Sequence, residues 1–137
     1  MQVMQIGAAY AATDPTAAGA WFSQHLGFQV LMDLGWYVST KHPDHGELRV
    51  DFVQSDHGTW TEPAERVSGA MIALLVADVD SQHERIVDGG VSVLKPLVTE
   101  PWGQRRFQVA GPGGLVVEFV QPVEPDPTWM RAQGLTA

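Results

Sequence analysis

Two acidic residues interrupt otherwise apolar runs in this sequence: Asp51 within Leu48-Arg49-Val50-Asp51-Phe52-Val53-Gln54, and Glu118 within Leu115-Val116-Val117-Glu118-Phe119-Val120-Gln121. An unpaired carboxylate is costly to bury, so each must find a partner or face a wet cleft. Arg49, two residues from Asp51 and therefore on the same strand face, is a ready ion-pair partner. Glu118, set among Val116, Val117 and Val120, is the candidate catalytic residue if there is one, acting as a general base. Arg105 and Arg106 alternate across a strand, so one points inward and the other away. The inward one either pairs with Glu118 or holds an anionic group of a ligand. Trp36, Tyr37, Trp102 and Phe107 lie on or beside neighbouring strands, and aromatic faces stack planar ligands as readily as they fill cores. His42, His45 and His57 fall in turn or linker segments, where they are either solvated or spare nitrogen donors. His25 and His83 fall within helical segments at their surface or boundary.

The elements that carry these residues are revealed by an internal repeat. The two seven-residue runs agree or are conservative at six of seven positions, Arg49/Val116 being the exception. Upstream of them, Leu26-Gly27-Phe28-Gln29-Val30-Leu31 parallels Gly90-Val91-Ser92-Val93-Leu94. In the first half, Gln5 to Ala12 reads as a strand, and Thr13-Asp14-Pro15 carries helix N-cap chemistry with proline in the first turn. Ala17, Ala18, Trp21, Phe22 and Leu26 then recur at helical spacing, and Gly27 stops the helix. Phe28 to Met32, Trp36 to Thr40 and Glu47 to Gln54 read as strands, with a turn at His42-Pro43-Asp44-His45-Gly46. The second half repeats the order: a strand over Met71 to Ala77, a helix from Asp80 to Asp88, a stop at Gly89-Gly90. Strands over Val91 to Lys95, Gln104 to Ala110 and Leu115 to Gln121 follow, with a turn at Gly111-Pro112-Gly113-Gly114. Neither half buries its apolar face alone, which argues for an α+β fold of two tandem β-α-β-β-β modules sharing one core around a cleft.

Composition narrows the function classes. With 137 residues the chain suits one domain, and its lack of cysteine removes disulfides, thiolate metal sites and cysteine nucleophiles. A formal charge of -8 repels a phosphate backbone, so nucleic acid is not an expected partner. No apolar run approaches membrane-spanning length and no basic-then-apolar leader opens the chain, which leads us to expect a soluble, cytoplasmic protein.

The combination of Asp14-Pro15, Trp21-Phe22, Leu26-Gly27-Phe28, Pro101-Trp102-Gly103, Gly111-Pro112-Gly113-Gly114 and Val117-Glu118-Phe119 resembles the vicinal oxygen chelate superfamily of glyoxalases, bleomycin-resistance proteins and extradiol dioxygenases. The resemblance implies a single domain over residues 1–122, built from modules at about 4–54 and 70–122 with a linker at 55–69, and a C-terminal extension over 123–137. It further implies a curved mixed sheet around a cup, frequently completed as a homodimer. Its enzymes hold a divalent metal with ligands from the first and last strands of each module. Those positions are Gly7 and Met71 on the first strands and Asp51 and Glu118 on the last. Two carboxylates without imidazole make a poor first-row metal site.

The expected function is therefore that of the bleomycin-resistance-like, antibiotic-sequestering branch: a cofactor-free binder of an aromatic or cationic small molecule. Trp36, Asp51, Trp102, Arg105, Phe107 and Glu118 are the expected ligand-binding residues. The alternative is a metal-dependent lyase, isomerase or dioxygenase, with Glu118 and Asp51 as ligands and the loop histidines supplying the missing nitrogens. The residues leave open whether the protein is an enzyme.

Overall fold

The structure, a computed structural model, describes residues 1–135. The first half contains β1 (Ile6–Ala12), α1 (Pro15–Leu26), β2 (Gln29–Asp33), β3 (Tyr37–His42) and β4 (His45–Gln54). The second contains β5 (Met71–Leu75), α2 (Val79–Asp88), β6 (Val93–Glu100), β7 (Gln104–Ala110) and β8 (Val116–Pro122), and α3 (Pro127–Ala132) follows. Two compact units result: Met1–Gly69 with Gly111–Leu115, and Ala70–Ala110 with the chain from Val116 onward. None of the described helices is long and apolar enough to cross a membrane.

Each unit has its own four-stranded mixed sheet, in the orders β1-β4-β3-β2 and β5-β8-β7-β6. The expected curved sheet is thus two sheets of the same topology. In each, the seven-residue repeat forms a central strand, β4 or β8, parallel to the unit's first strand and antiparallel to its third. The helices start alike too. The Asp14 carboxylate accepts from the Ala17 N–H at 3.0 Å and the Asp78 carboxylate from the Ser81 N–H at 3.2 Å, each supplying an acceptor for a helix-start donor. Gly27 closes α1 at a φ of 73°, a left-handed conformation that only glycine adopts cheaply.

Several strand boundaries differ from the sequence reading, most by one or two residues: β3 runs to His42 and β4 starts at His45, which narrows the expected five-residue turn to Pro43-Asp44. β6 runs to Glu100 rather than stopping at Lys95 because it is an edge strand, where Pro96 needs no ladder partner and the register shifts between Lys95 and Val98. β5 ends at Leu75, two residues short of the expected Ala77.

Packing decides which face of each sheet carries chemistry. In the first unit Phe22 of α1 meets Phe52 edge-on at 4.9 Å and Phe28 at 5.1 Å. In the second, Phe119 stacks on Phe107 at 4.8 Å, and His83 of α2 meets Phe107 edge-on at 4.9 Å. Phe52 and Phe119 hold the same repeat position, and both turn toward their helix. Because side chains alternate along a strand, Asp51 and Glu118 are forced onto the opposite face.

The tightest helix-to-sheet approach is at Gly19, where an added Cβ would lie 2.6 Å from a methyl of fully buried Val38. Gly19→Ala should therefore lower stability by about 1–2 kcal/mol, overpacking outweighing a helix-propensity gain of up to about 1 kcal/mol. Urea unfolding of Gly19→Ala, Val38→Ala and the double variant checks this. The double variant should be more stable than the sum of the two losses, and strict additivity would show that the contact is not the cause.

Candidate functional site

In the second unit, Glu118 sits mid-strand on β8, only 5% exposed. Its Oε1 accepts a hydrogen bond from Arg106 Nη1 on β7 at 2.8 Å. Arg106 stands opposite Val120 in the ladder, so it reaches Glu118 diagonally. A second carboxylate, Glu100, lies 3.7 Å from Arg106 Nη2. The Trp102 ring covers the guanidinium with its centroid 5.5 Å from Cζ, a cation–π contact, while its own Nε1 donates to Gln104 at 2.8 Å. Trp102 remains 42% exposed. Gln108, directly across the ladder from Glu118, turns its amide nitrogen to Met71 Sδ at 3.4 Å.

In the first unit the corresponding carboxylate is Asp51 on β4. Its Oδ2 accepts from the Tyr37 hydroxyl at 2.9 Å, and that hydroxyl in turn accepts from Arg49 Nη2 at 2.8 Å. Arg49 also donates through Nε to the buried Ser39 hydroxyl at 3.0 Å, and lies 3.7 Å from Asp51 Oδ1. That Oδ1 is buried without a hydrogen-bond partner. Tyr37 stands opposite Val53, so it too reaches its carboxylate diagonally.

The expected site residues divide between the two faces. In the second unit Glu118 and Trp102 gather with Arg106, which answers the question of which arginine accompanies Glu118, while Asp51 in the first unit has Tyr37 and Arg49 beside it. Arg105 and Phe107, expected with them, lie on the other face of β7. Odd positions of β7 turn toward α2, where Phe107 is a fully buried core residue between His83 and Phe119. On that face Arg105 grips the Asp80 carboxylate with Nε at 3.0 Å and Nη2 at 2.8 Å. This hydrogen bonding holds the exposed Asp80 carboxyl below its ordinary range, a contribution lost only as pH falls through that lowered value.

Trp36 stacks on His57 with ring centroids 3.9 Å apart, so the linker histidine covers one of its faces. His57 Nδ1 accepts from the Thr59 N–H at 3.1 Å, and His42 Nδ1 accepts from the Asp44 N–H at 3.1 Å within its turn. Both histidines are engaged locally. Ser39, Glu100 and Gln108 were not among the expected site residues, and Tyr37 was weighed only as an aromatic face, although strand parity with Asp51 and Glu118 was the available signal.

The donor set does not suit a divalent metal. Met71 offers a thioether, which hard divalent ions do not favour. Gly7, the other first-strand position, offers no side chain; its missing Cβ would lie 4.0 Å from Asp51 Oδ2. Both carboxylates already have arginine beside them, and among the described residues no three His, Asp or Glu side chains converge. Two crevices in the first unit, one of about 500 Å³ lined by Gln54, Asp56 and Glu65 among others and one of about 290 Å³ beside Trp21, involve none of the expected site residues.

A family model of the Glyoxalase/Bleomycin resistance protein/Dioxygenase superfamily matches residues 5–119, most of the chain. The chain belongs to this superfamily. Among curated proteins none matches it. Solved structures with the glyoxalase-type fold include TioX from Micromonospora sp. ML1, 22% identical over 87% of this chain and 98% of that one, with a TM-score of 0.71. TnmS3, described as an antibiotic binding protein from Streptomyces sp. CB03234, is 22% identical over 89% and 98%, with a TM-score of 0.69. Lactoylglutathione lyase from Agrobacterium tumefaciens is 20% identical over 85% and 91%, with a TM-score of 0.67. At these identities the likeness is one of fold, and this glyoxalase-superfamily fold carries both binders and enzymes.

If Glu118 depends on Arg106, removing one partner alone should be far worse than removing both. Arg106→Gln is expected to cost about 3–5 kcal/mol in urea unfolding, with a substantial part recovered in Arg106→Gln/Glu118→Gln. Arg105→Gln, on the exposed pair, should shift the midpoint much less. Equal losses at the two arginines, or a double variant as unstable as the sum, would contradict the assignment.

Proposed function

We propose that this chain is a metal-independent small-molecule binding protein of the glyoxalase/bleomycin-resistance superfamily, taking an aromatic or cationic compound. The observation that carries the reading is Trp102: an indole fixed by Arg106 and Gln104 yet 42% exposed, over the arginine that pairs with the strand carboxylate Glu118. A preorganised ring of this kind binds a planar ligand without first being ordered, and a good aromatic pair contributes roughly 1 kcal/mol beyond burial. Around Arg106, two carboxylates flank a single guanidinium, leaving an excess of negative charge that favours a cation. The missing first-strand donors at Gly7 and Met71 support a binder over a metal enzyme. TnmS3 supports it as well, since its printed description is that of an antibiotic binding protein on the same fold. The lyase that shares the fold shows why the site rather than the fold must carry the argument.

Titrating a panel of planar cationic and anionic compounds against intrinsic tryptophan fluorescence tests the proposal. Cations should bind more tightly than anions, Trp102→Ala should weaken binding about tenfold, and Glu118→Gln should erode the cation preference. Trp36→Ala should have a smaller effect, because His57 already covers one face of that ring. Tighter binding of anions, or affinities unmoved by all three substitutions, would show that the recognition surface lies elsewhere.

A further inference from the structure

The two repeats satisfy their strand carboxylates from one and the same ladder position. Tyr37 stands opposite Val53 and Arg106 opposite Val120, each two residues beyond the carboxylate on the central strand, and each donates diagonally to it. In the first unit the donor is a phenol backed by Arg49; in the second it is the guanidinium itself. We propose that Arg106 is a resident cation, standing at Glu118 where a divalent ion would have to stand, so that the second unit is built to exclude a metal rather than merely lacking ligands for one.

Three features hold the guanidinium in that role. Its Nη1 is 2.8 Å from Glu118 Oε1, a charge-assisted bond. Glu100 flanks Nη2 at 3.7 Å, adding a second negative charge that a guanidinium partly neutralises. Trp102 lies over Cζ and closes one face. A metal reaching Glu118 would need a carboxylate oxygen at about 2.0–2.2 Å. It would therefore have to displace Arg106 or sit beside its charge, and arginine does not shed that charge at any working pH. Met71, whose sulfur meets the amide of Gln108 opposite Glu118, occupies a nearby position from which a nitrogen donor could join the carboxylate.

The inference rests on the metal-independent reading above, but its test uses no organic ligand, so failure of the fluorescence titration and failure here are separate results. Zn²⁺ is titrated by calorimetry, with thermal unfolding in parallel, into the wild type, Met71→His, Met71→His/Arg106→Gln and Met71→His/Arg106→Met. The last variant keeps an apolar stem should glutamine prove too disruptive. Wild type and Met71→His should bind no Zn²⁺ through Glu118. Removing Arg106 in the Met71→His background should produce one-to-one binding at least tenfold tighter, with a Zn²⁺-dependent rise in Tm that disappears when Glu118→Gln is added. Zn²⁺ binding by wild type or Met71→His that is lost on Glu118→Gln would overturn the proposal, and so would absence of binding in both Arg106 variants.

Discussion

The strict two-residue alternation of the central strands β4 and β8 is the constraint on which the rest depends. Phe52 and Phe119 are committed to the cores under α1 and α2, and that commitment forces Asp51 and Glu118 to the other face of each sheet. A slip of one residue would place a carboxylate beneath a helix and an aromatic ring outside, so the register is held by both the apolar and the acidic side chain. The parallel pairing of β1 with β4 and β5 with β8 extends the same alternation to Gly7 and Met71, and the antiparallel pairing of β3 with β4 and β7 with β8 extends it to Tyr37 and Arg106.

Once the carboxylates are fixed, each must be satisfied on a sheet face with little freedom. The two units reach different chemical solutions from equivalent positions. At Asp51 a phenol supplies the hydrogen bond and Arg49, beside it on the same strand, supplies the charge, whereas Val116 holds the Arg49 position in the second repeat and supplies nothing. The charge must then come from across the ladder, and Arg106 brings it. Arg106 also orders Trp102, so the exposed aromatic surface is a consequence of how the buried carboxylate is neutralised.

Much of this was legible in the sequence because the repeat reports strand register directly. Identical Phe, Val and Gln positions around Asp51 and Glu118 imply equivalent strands, and Asp14-Pro15 and Asp78 mark both helix starts. The faces of β7 were not legible, because Arg105 and Arg106 are chemically identical and Phe107 suits a core as well as a ligand surface. Their parity is settled by Phe119, whose stack with Phe107 turns Arg105 toward Asp80 and leaves Arg106 with Glu118. The reach of β6 past Pro96 was hidden for a related reason: proline disfavours a strand unless the strand is an edge, and edge position is a property of topology rather than of local sequence. The Trp36–His57 stack joins residues of two segments whose contact no periodicity encodes.

The superfamily accommodates both binders and metal enzymes, and here the choice turns on what neutralises the central-strand carboxylates. Elemental analysis of the protein purified without chelators measures this most directly. A first-row metal content well below one per chain is the result expected if Arg106 and Arg49 already serve Glu118 and Asp51. About one metal per chain, lost on Glu118→Ala, would contradict that account.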